Sequence, residues 1–180
     1  NLQLLGSAAI NGTGNALNNV IYVNNGAYIN VIDGGTGTDT LSYQYATTAG
    51  TTGVTLNLSV VNASGQSTAS GISGADLVKN IENITGTNYA DALTGSLGAN
   101  VLDGGAGNDT MTGGDGSDIY YVRDAGDVVS ETNATASTGG YDTVYSYLTA
   151  YSLVDTDGAG TAGGNVENGR IVSTGATNLT

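Results

Sequence analysis

The sequence predicts an all-β chain wound as a parallel β-roll, a β-solenoid of short strands joined by glycine-rich loops, with short β-strand insertions. Three observations support this prediction: a nine-residue repeat, 30 glycines among 180 residues, and the absence of Pro, Cys, Trp, Phe and His. Globular cores normally use large aromatic side chains, because these bury the most area per residue. Here Val, Ile, Leu and Tyr must form the core, which suits thin, repeated layers.

The nine-residue repeat is clearest between residues 86 and 130. In blocks of nine, this stretch reads GTNYADALT, GSLGANVLD, GGAGNDTMT, GGDGSDIYY and VRDAGDVVS. The residues at position six are Asp91, Asn100, Asp109, Asp118 and Asp127, and those at position eight are Leu93, Leu102, Met111, Tyr120 and Val129. The pattern predicts a six-residue loop followed by a three-residue strand whose central side chain faces the interior.

A shorter array precedes the main one. The stretch from Gly34 to Ser42 follows the same pattern with Asp39 at position six, and Asn30 and Asn19 take that position one and two blocks earlier. Residues 43–75 contain no nonapeptide. There, apolar and polar residues alternate from Val54 to Val60, which predicts one half-exposed strand.

A longer period overlies the short one, since Ile81-Glu82-Asn83 recurs 85 residues later as Val166-Glu167-Asn168. We therefore divide the chain into four segments and expect the parent protein to continue on both sides. The segments are a first, shorter roll unit at 1–42, a β-strand insertion or connector at 43–80, the main roll at 81–142, and a strand-rich linker with the start of the next repeat at 143–180.

The charge balance narrows the choice of partners. The chain has 16 acidic residues against three basic ones and a net charge of -13. This charge excludes nucleic-acid phosphate as a partner, because binding would have to overcome repulsion. No apolar run approaches the ~20 residues that a membrane-spanning helix needs, so we expect no membrane insertion. A chain this acidic either repels itself or recruits cations.

The spacing of the acidic residues favours cation binding. Two nonapeptides should form one coil, so that loops 18 residues apart stack at about 4.8 Å and bring position-six side chains together along each edge. Unit charges ~5 Å apart repel by about 3 kcal/mol at an effective dielectric constant of 20. Calcium accepts six to eight oxygen ligands with flexible geometry, magnesium demands a stricter octahedron, and zinc or copper would prefer His or Cys. The sequence therefore predicts several Ca²⁺ ions. Asp33, Asp103 and Asp115 lie off position six and are expected to be loop or surface residues.

Residues 81–145 resemble the hemolysin-type calcium-binding (RTX) repeat family, and residues 11–42 resemble a second, shorter copy. The nonapeptides GGAGNDTMT and GGDGSDIYY carry the resemblance, because both match G-G-x-G-x-D-x-U-x at every specified position. The resemblance implies a right-handed parallel β-roll with calcium held between successive loops. It also implies type I secretion, in which the chain leaves the cell unfolded and folds outside.

The resemblance also implies a set of metal ligands. Asn100, Asp124 and Asp127 are further candidates at the weaker positions of the array, since Asn replaces Asp at the first and the loop of the other two lacks the usual glycines. Glu131 and Asp142 match an acidic residue after the last repeat and the G-x-D-T-V element that follows it. The remaining ligands are the side chains of Asp39, Asp91, Asp109 and Asp118 and the loop glycines Gly35, Gly37, Gly105, Gly107, Gly114 and Gly116.

Two functions remain open from the sequence. The first is a calcium-binding structural segment of a large secreted bacterial surface protein, of the adhesin, S-layer or filament type, and the long period favours it. The alternative is the C-terminal calcium-binding and secretion region of an extracellular hydrolase, such as a protease or lipase. We expect no catalysis within the chain, since without His or Cys it cannot assemble a Ser triad or a Cys dyad. Exposed roll edges leave self-assembly, or pairing with neighbouring repeats of the same protein, as a further partner class.

Overall fold

The computed structural model describes residues 1–6, 8–24, 28–46, 52–71, 74–131 and 139–151, together with two strands at 168–171 and 178–179. The regular secondary structure of these residues consists of β-strands, which wind into a parallel β-solenoid. The predicted fold class is therefore confirmed. No helix in the described part of the chain is long and apolar enough to cross a membrane.

Eighteen short strands form two main sheets and one small one. In chain order they are β1 (Leu2–Leu4), β2 (Gly12–Thr13), β3 (Val20–Val23), β4 (Val31–Asp33), β5 (Thr40–Ser42), β6 (Thr55–Asn57), β7 (Ser67–Ser70), β8 (Asp76–Lys79), β9 (Asn83–Thr85), β10 (Ala92–Thr94), β11 (Val101–Asp103), β12 (Thr110–Thr112), β13 (Ile119–Val122), β14 (Val128–Ser130), β15 (Thr143–Ser146), β16 (Ala150–Tyr151), β17 (Asn168–Ile171) and β18 (Asn178–Leu179). The first sheet has the order β1-β3-β5-β9-β11-β13-β15-β17, and the second has the order β14-β12-β10-β6-β7-β8-β4-β2. Strands β16 and β18 pair separately.

The core lies between the two main sheets and is built from the central residue of each short strand. In the first sheet, Ile21, Leu41, Ile84, Leu102, Tyr120 and Val144 follow one another in register. All six are at most 1% exposed. In the second sheet, Leu93, Met111 and Val129 form the matching column. These apolar columns are the position-eight residues that the repeat predicts.

Register confirms the predicted coil length in the main array. Ala92 pairs with Thr110 and Val101 pairs with Ile119, so each coil contains two nonapeptides, or 18 residues. In the first array the spacing is 20 residues, because Val20 pairs with Thr40. The block between Val23 and Asp33 has two extra residues, which accounts for the longer coil.

The segment between the two arrays forms a three-strand meander within the second sheet. Strand β7 is antiparallel to both neighbours, while β6 runs parallel to β10 and β8 runs parallel to β4. In the first sheet, by contrast, β5 pairs directly with β9. The two arrays therefore share one core and form one continuous solenoid.

The strand predicted from Val54 to Val60 exists but is short. Strand β6 ends at Asn57, whose side-chain oxygen accepts a hydrogen bond from the Ser59 backbone at 2.8 Å and closes a turn. Val54 is buried, whereas Val60 is 65% exposed. Alternation alone did not reveal the Asn-centred turn that ends the strand.

The long period has a structural counterpart in the first sheet. Strands β9 and β17 begin at Asn83 and Asn168, the equivalent residues of the two copies. Asn83 Oδ1 accepts a hydrogen bond from the Val101 backbone at 2.9 Å, and Asn1 Oδ1 does the same for Val20 at 3.2 Å. Beyond residue 151, the predicted start of a further repeat lies outside the described residues, apart from β17 and β18.

Candidate metal centre

Position-six side chains form a ladder along each edge of the solenoid. One carboxylate oxygen of each residue accepts the backbone N–H of the position-six residue one coil earlier. On one edge, Asp109 accepts from Asp91 at 2.8 Å and Asp127 accepts from Asp109 at 3.1 Å. On the other, Asp118 accepts from Asn100 at 2.7 Å and Asp142 accepts from Asp118 at 2.8 Å. The stacking is that expected from the sequence.

The ladder leaves four buried carboxylate oxygens without a partner: Oδ2 of Asp39, Asp109 and Asp118, and Oε1 of Glu131. The aspartates are at most 1% exposed and Glu131 is 4% exposed. Burying an ionised carboxylate without a partner costs several kcal/mol or more, so proteins pair it, protonate it or bind a metal to it. Hard oxygen donors of this kind suit calcium.

Burial perturbs the protonation of these groups. It raises the pKa of Asp109 to about 7 and of Asp118 to about 7, with neighbouring carboxylates adding to the rise. It raises the pKa of Glu131 to about 8, again reinforced by the adjacent Asp142 and Asp118. Each group therefore needs either a proton or a cation near neutral pH.

Three acidic residues converge at the end of the main array. Asp118, Glu131 and Asp142 each contribute one oxygen to a set in which all atoms lie within 4.8 Å of one another. The other oxygen of Glu131 accepts a hydrogen bond from the Gly114 backbone at 3.1 Å, which anchors it on the glycine loop. These are the acidic side chains predicted to close the array.

The loop glycines adopt backbone conformations that other residues disfavour. The φ angles of Gly35, Gly37, Gly105, Gly107, Gly114 and Gly116 lie between 93° and 132°. A side chain at Gly105 would also meet the carbonyl oxygen of Thr87 in the preceding coil, and one at Gly104 would meet the Asp109 carboxylate. Glycine is therefore needed both for the turn and for the close approach of stacked loops.

Comparison with known families agrees with this geometry. Residues 85–120 match the RTX calcium-binding nonapeptide repeat over 4 copies. This segment is an RTX calcium-binding repeat. No curated protein matches the chain. The match covers the first four nonapeptides of the main array, whereas the last block with Asp124 and Asp127, the residues Glu131 and Asp142, and the Asp39 loop lie outside it. The buried, unpaired oxygens of Asp109 and Asp118 in the matched segment would hold calcium, which supplies the positive charge that the carboxylates lack.

At two position-six places, an asparagine amide donates hydrogen bonds within the protein. The Asn100 amide nitrogen donates to the Glu82 carbonyl and to Ser96 Oγ. The Asn30 amide nitrogen donates to Asp76 Oδ1 at 2.7 Å. The sequence predicted that Asn at position six weakens a site or leaves it without metal, and the amide contacts give the physical reason. For Asn100, named from the sequence as a weaker ligand candidate, the paired amide favours a loop without metal.

Three further candidate ligands are also paired within the protein. Asp91 Oδ2 accepts from the Thr87 backbone at 2.7 Å, and the Thr87 hydroxyl, at the position where the repeat usually has its second Gly, also donates to the Asp91 carboxylate. Even so, burial raises the pKa of Asp91 to about 6. Asp127 Oδ2 accepts from the Arg123 and Asp124 backbones at 2.9 and 3.0 Å. Asp124 Oδ2 accepts from the Gly107 backbone at 3.0 Å.

Sequence reasoning missed Glu82 as a member of the ladder. Glu82 Oε2 accepts the Asp39 backbone N–H at 2.7 Å, across 43 residues of sequence. It therefore stands at the position-six place of the coil that joins the two arrays. The signal was present in the long repeat, which sets an acidic residue directly before the strand that begins at Asn83.

A second missed feature is a buried polar cluster where the meander meets the first array. Tyr43 Oη donates to Asp76 Oδ2 at 3.0 Å, and the Asn30 backbone donates to Asp76 Oδ1 at 2.9 Å. Burial raises the pKa of both Asp76 and Tyr43. Here a tyrosine hydroxyl donates to the second carboxylate oxygen of Asp76, whereas the corresponding oxygen of Asp109 has no partner.

Two of the acidic residues off position six form surface ion pairs. Asp33 pairs with Lys79 at 2.9 Å, and Asp103 pairs with Arg123 at 2.6 Å. Asp115, in the loop before β13, is partly exposed. All three lie in loops or on the outer surface, as expected from the sequence.

Proposed function

We propose that this chain is a calcium-dependent structural segment of a large secreted bacterial surface protein, of the adhesin, S-layer or filament type. On this proposal the chain leaves the cell by type I secretion, unfolded, and folds outside, where calcium is abundant. One observation carries the proposal: buried carboxylate oxygens without partners line a single continuous solenoid. Metal binding would then contribute directly to the free energy of folding.

The spacing of the repeats favours a scaffold over the secretion region of a hydrolase. Two nonapeptide arrays stack into one solenoid, and the 85-residue period relates equivalent strands of its first sheet. An extended, repeating rod of this kind suits a protein that spans distance at a surface. Further 85-residue copies in the flanking sequence would support the scaffold. A metalloprotease H-E-x-x-H helix or a G-x-S-x-G turn upstream would support the hydrolase alternative.

We also propose that the chain has no catalytic role of its own. It contains no His or Cys, and most of its position-six acidic residues are engaged in the ladder. A general acid or base would need to face a substrate in a cleft, whereas these carboxylates face the backbone of the neighbouring loop.

Calcium-dependent folding tests the proposal. Circular dichroism of the chain should show little β-structure in excess chelator and a cooperative gain of β-structure as calcium is added. Magnesium at the same concentration should be much less effective, because it dehydrates reluctantly and demands octahedral geometry. An unchanged spectrum between chelator and calcium would contradict the proposal.

A further inference from the structure

A column of side chains runs along the first sheet on the face opposite the core, and all of its members except the buried Ser42 are partly exposed. It consists of the last outward residue on each of six successive strands. In register these are Tyr22, Ser42, Thr85, Asp103, Tyr121 and Tyr145. At about 4.8 Å per strand, the column is ~24 Å long. It is aromatic at both ends and polar in the middle.

The aromatic end beside β13 and β15 presents a layered platform. The rings of Tyr121 and Tyr145 stack with centroids 5.5 Å apart, and Tyr147 lies 6.3 Å from Tyr121. The Arg123 guanidinium lies 4.9 Å from the Tyr147 ring centroid. Tyr147 remains 43% exposed. A flat surface of rings and guanidinium therefore faces solvent.

The opposite end carries a second aromatic pair. Tyr45 lies 5.6 Å from Tyr22, centroid to centroid, and is 55% exposed. Gln44, the residue before Tyr45, is exposed on the same side of the sheet and lines the groove that follows.

A groove of about 410 Å³ lies between the two aromatic ends, with Gln44 beside one pair of rings and Arg123 against the other. The residues that line it come from four successive coils. They include Gln44, Thr85, Asn88, Asp103, Arg123 and Asp124. Arg123 Nε and Nη2 donate to the two oxygens of Asp103 at 2.8 and 2.6 Å, which neutralises both charges and fixes the two planar groups in place.

We propose that this strip binds a linear, neutral polysaccharide that lies along the solenoid axis. The apolar C–H faces of sugar rings pack on exposed aromatic rings, and sugar hydroxyls bond to planar amide, carboxylate and guanidinium groups. The strip offers both kinds of group in a line. An acidic polymer would be repelled by the net charge of -13 and by Asp124. A protein partner would require an interface core depleted of charge, whereas this groove presents the charged side chains of Asp103 and Arg123.

The groove shares Asp124 and Gly105 with the candidate calcium ligands, but the tyrosines, Gln44, Asp103 and Arg123 that would contact the polymer are not candidate ligands. Calcium would affect polysaccharide binding only by folding the solenoid that presents the strip. A negative result for polysaccharide would therefore leave the calcium-dependent scaffold intact, while failure to fold with calcium would remove both.

The test is retention of the calcium-loaded chain in affinity gels that contain neutral polysaccharides (a β-glucan, a mannan, a galactan) or acidic alginate. At least one neutral polymer should retard the chain, and alginate should not. Tyr147→Ala and Gln44→Ala should each weaken binding, roughly tenfold for the stacking residue. Tyr28→Ala, which removes a tyrosine that is 39% exposed and lies off the strip, should bind like wild type.

Circular dichroism at saturating calcium provides the folding control for all three variants. The proposal would be overturned by no retention by any neutral polymer, by equal retention by alginate, or by wild-type binding in folded Tyr147→Ala and Gln44→Ala. Equal loss in Tyr28→Ala would also overturn it, because the binding surface would then lie elsewhere.

Discussion

The second oxygen of a buried position-six carboxylate is either hydrogen-bonded within the protein or left without a partner, depending on its loop. Where Thr87 or a backbone N–H is nearby, as at Asp91 and Asp127, that oxygen is hydrogen-bonded. Where the loop has its full set of glycines, as at Asp109 and Asp118, it has no partner. Glycine provides the turn but no side-chain donor, so these loops depend on an external cation.

Removing one such carboxylate should weaken calcium binding more than removing an acidic residue elsewhere in the loops. We expect Asp109→Ala to raise the calcium concentration at the folding midpoint severalfold, since it removes a predicted ligand and a ladder hydrogen bond. Asp115→Ala, a partly exposed loop position, is the matched control and should shift the midpoint little. Calcium titration followed by circular dichroism measures both. Equal shifts would show that position six does not hold the ion.

Protonation should act on the metal-free and calcium-bound forms in opposite directions. Folding raises the pKa of Asp109 and Asp118 to about 7 and of Glu131 to about 8, so the folded state holds protons that the unfolded state releases at lower pH. Their contribution to metal-free stability is present below the unfolded pKa and is lost as pH rises through about 7. Metal-free protein should therefore show more β-structure at pH 5 than at pH 8, where it should be largely unfolded.

In the presence of calcium, the folded state should instead be favoured more at pH 8 than at pH 5. Protons compete with the ion for the same oxygens, so the calcium affinity should rise between pH 5 and pH 8. Circular dichroism of metal-free protein and calcium titration, each at both pH values, provide the comparison. Metal-free protein that is more stable at pH 8 would contradict the perturbed pKa values.

The meander β6–β8 shows how an element without nonapeptides joins the solenoid. Its outer strands β6 and β8 extend the second sheet on either side, and Asp76 at the start of β8 takes a ladder place beside Asn30. Tyr43 crosses the core to reach Asp76 and is fully buried. The junction thus satisfies its buried carboxylate with protein groups alone.

Loss of the Tyr43 hydroxyl should destabilise this junction. Tyr43→Phe leaves Asp76 Oδ2 without its donor, and an unsatisfied buried acceptor costs about 1–3 kcal/mol. Tyr45→Phe is the control, because it removes the hydroxyl of a tyrosine that is 55% exposed and lies two residues after Tyr43. Urea unfolding at saturating calcium should separate the two variants. Equal stability of both variants would show that the hydrogen bond contributes nothing.

The sequence predicted the main array well because its signal is local and repeated. The nine-residue spacing determines which residues form turns, which face the core and which stack on the neighbouring coil. The structure matches these predicted positions from Asp91 to Val129. The path of residues 43–80 could not be predicted in the same way. Alternation at Val54 to Val60 indicates a strand but not its partner, and pairing with β10 rather than with the preceding coil is a non-local choice. Glu82 was missed because the loop before β9 does not follow the nonapeptide.

Direct pairing of β5 with β9 makes the two arrays parts of one structure. Leu41 and Ile84 are adjacent in register and both buried in the shared core. The first array alone has about two coils, fewer than the three or more that a solenoid needs for independent stability. The position-six Asn residues of the first array form hydrogen bonds within the protein and need no metal. Its strands nevertheless depend on the calcium-binding main array for a packing surface.

The two arrays should therefore fold together. In a calcium titration followed by hydrogen exchange, backbone amides of β3 and β5 should become protected at the same calcium concentration as those of β11 and β13. Protection of β3 and β5 in excess chelator, with β11 and β13 still exchanging, would mean that the first array folds alone.

The most direct test of calcium at the unpaired carboxylates is anomalous X-ray diffraction from crystals grown in calcium. We predict anomalous peaks beside Oδ2 of Asp109 and Asp118, the latter within the cluster with Glu131 and Asp142, and no peak at the amide-filled loop of Asn100. Absence of a peak at Asp109 and Asp118 in calcium-grown crystals, or an ion at Asn100 instead, would contradict the account.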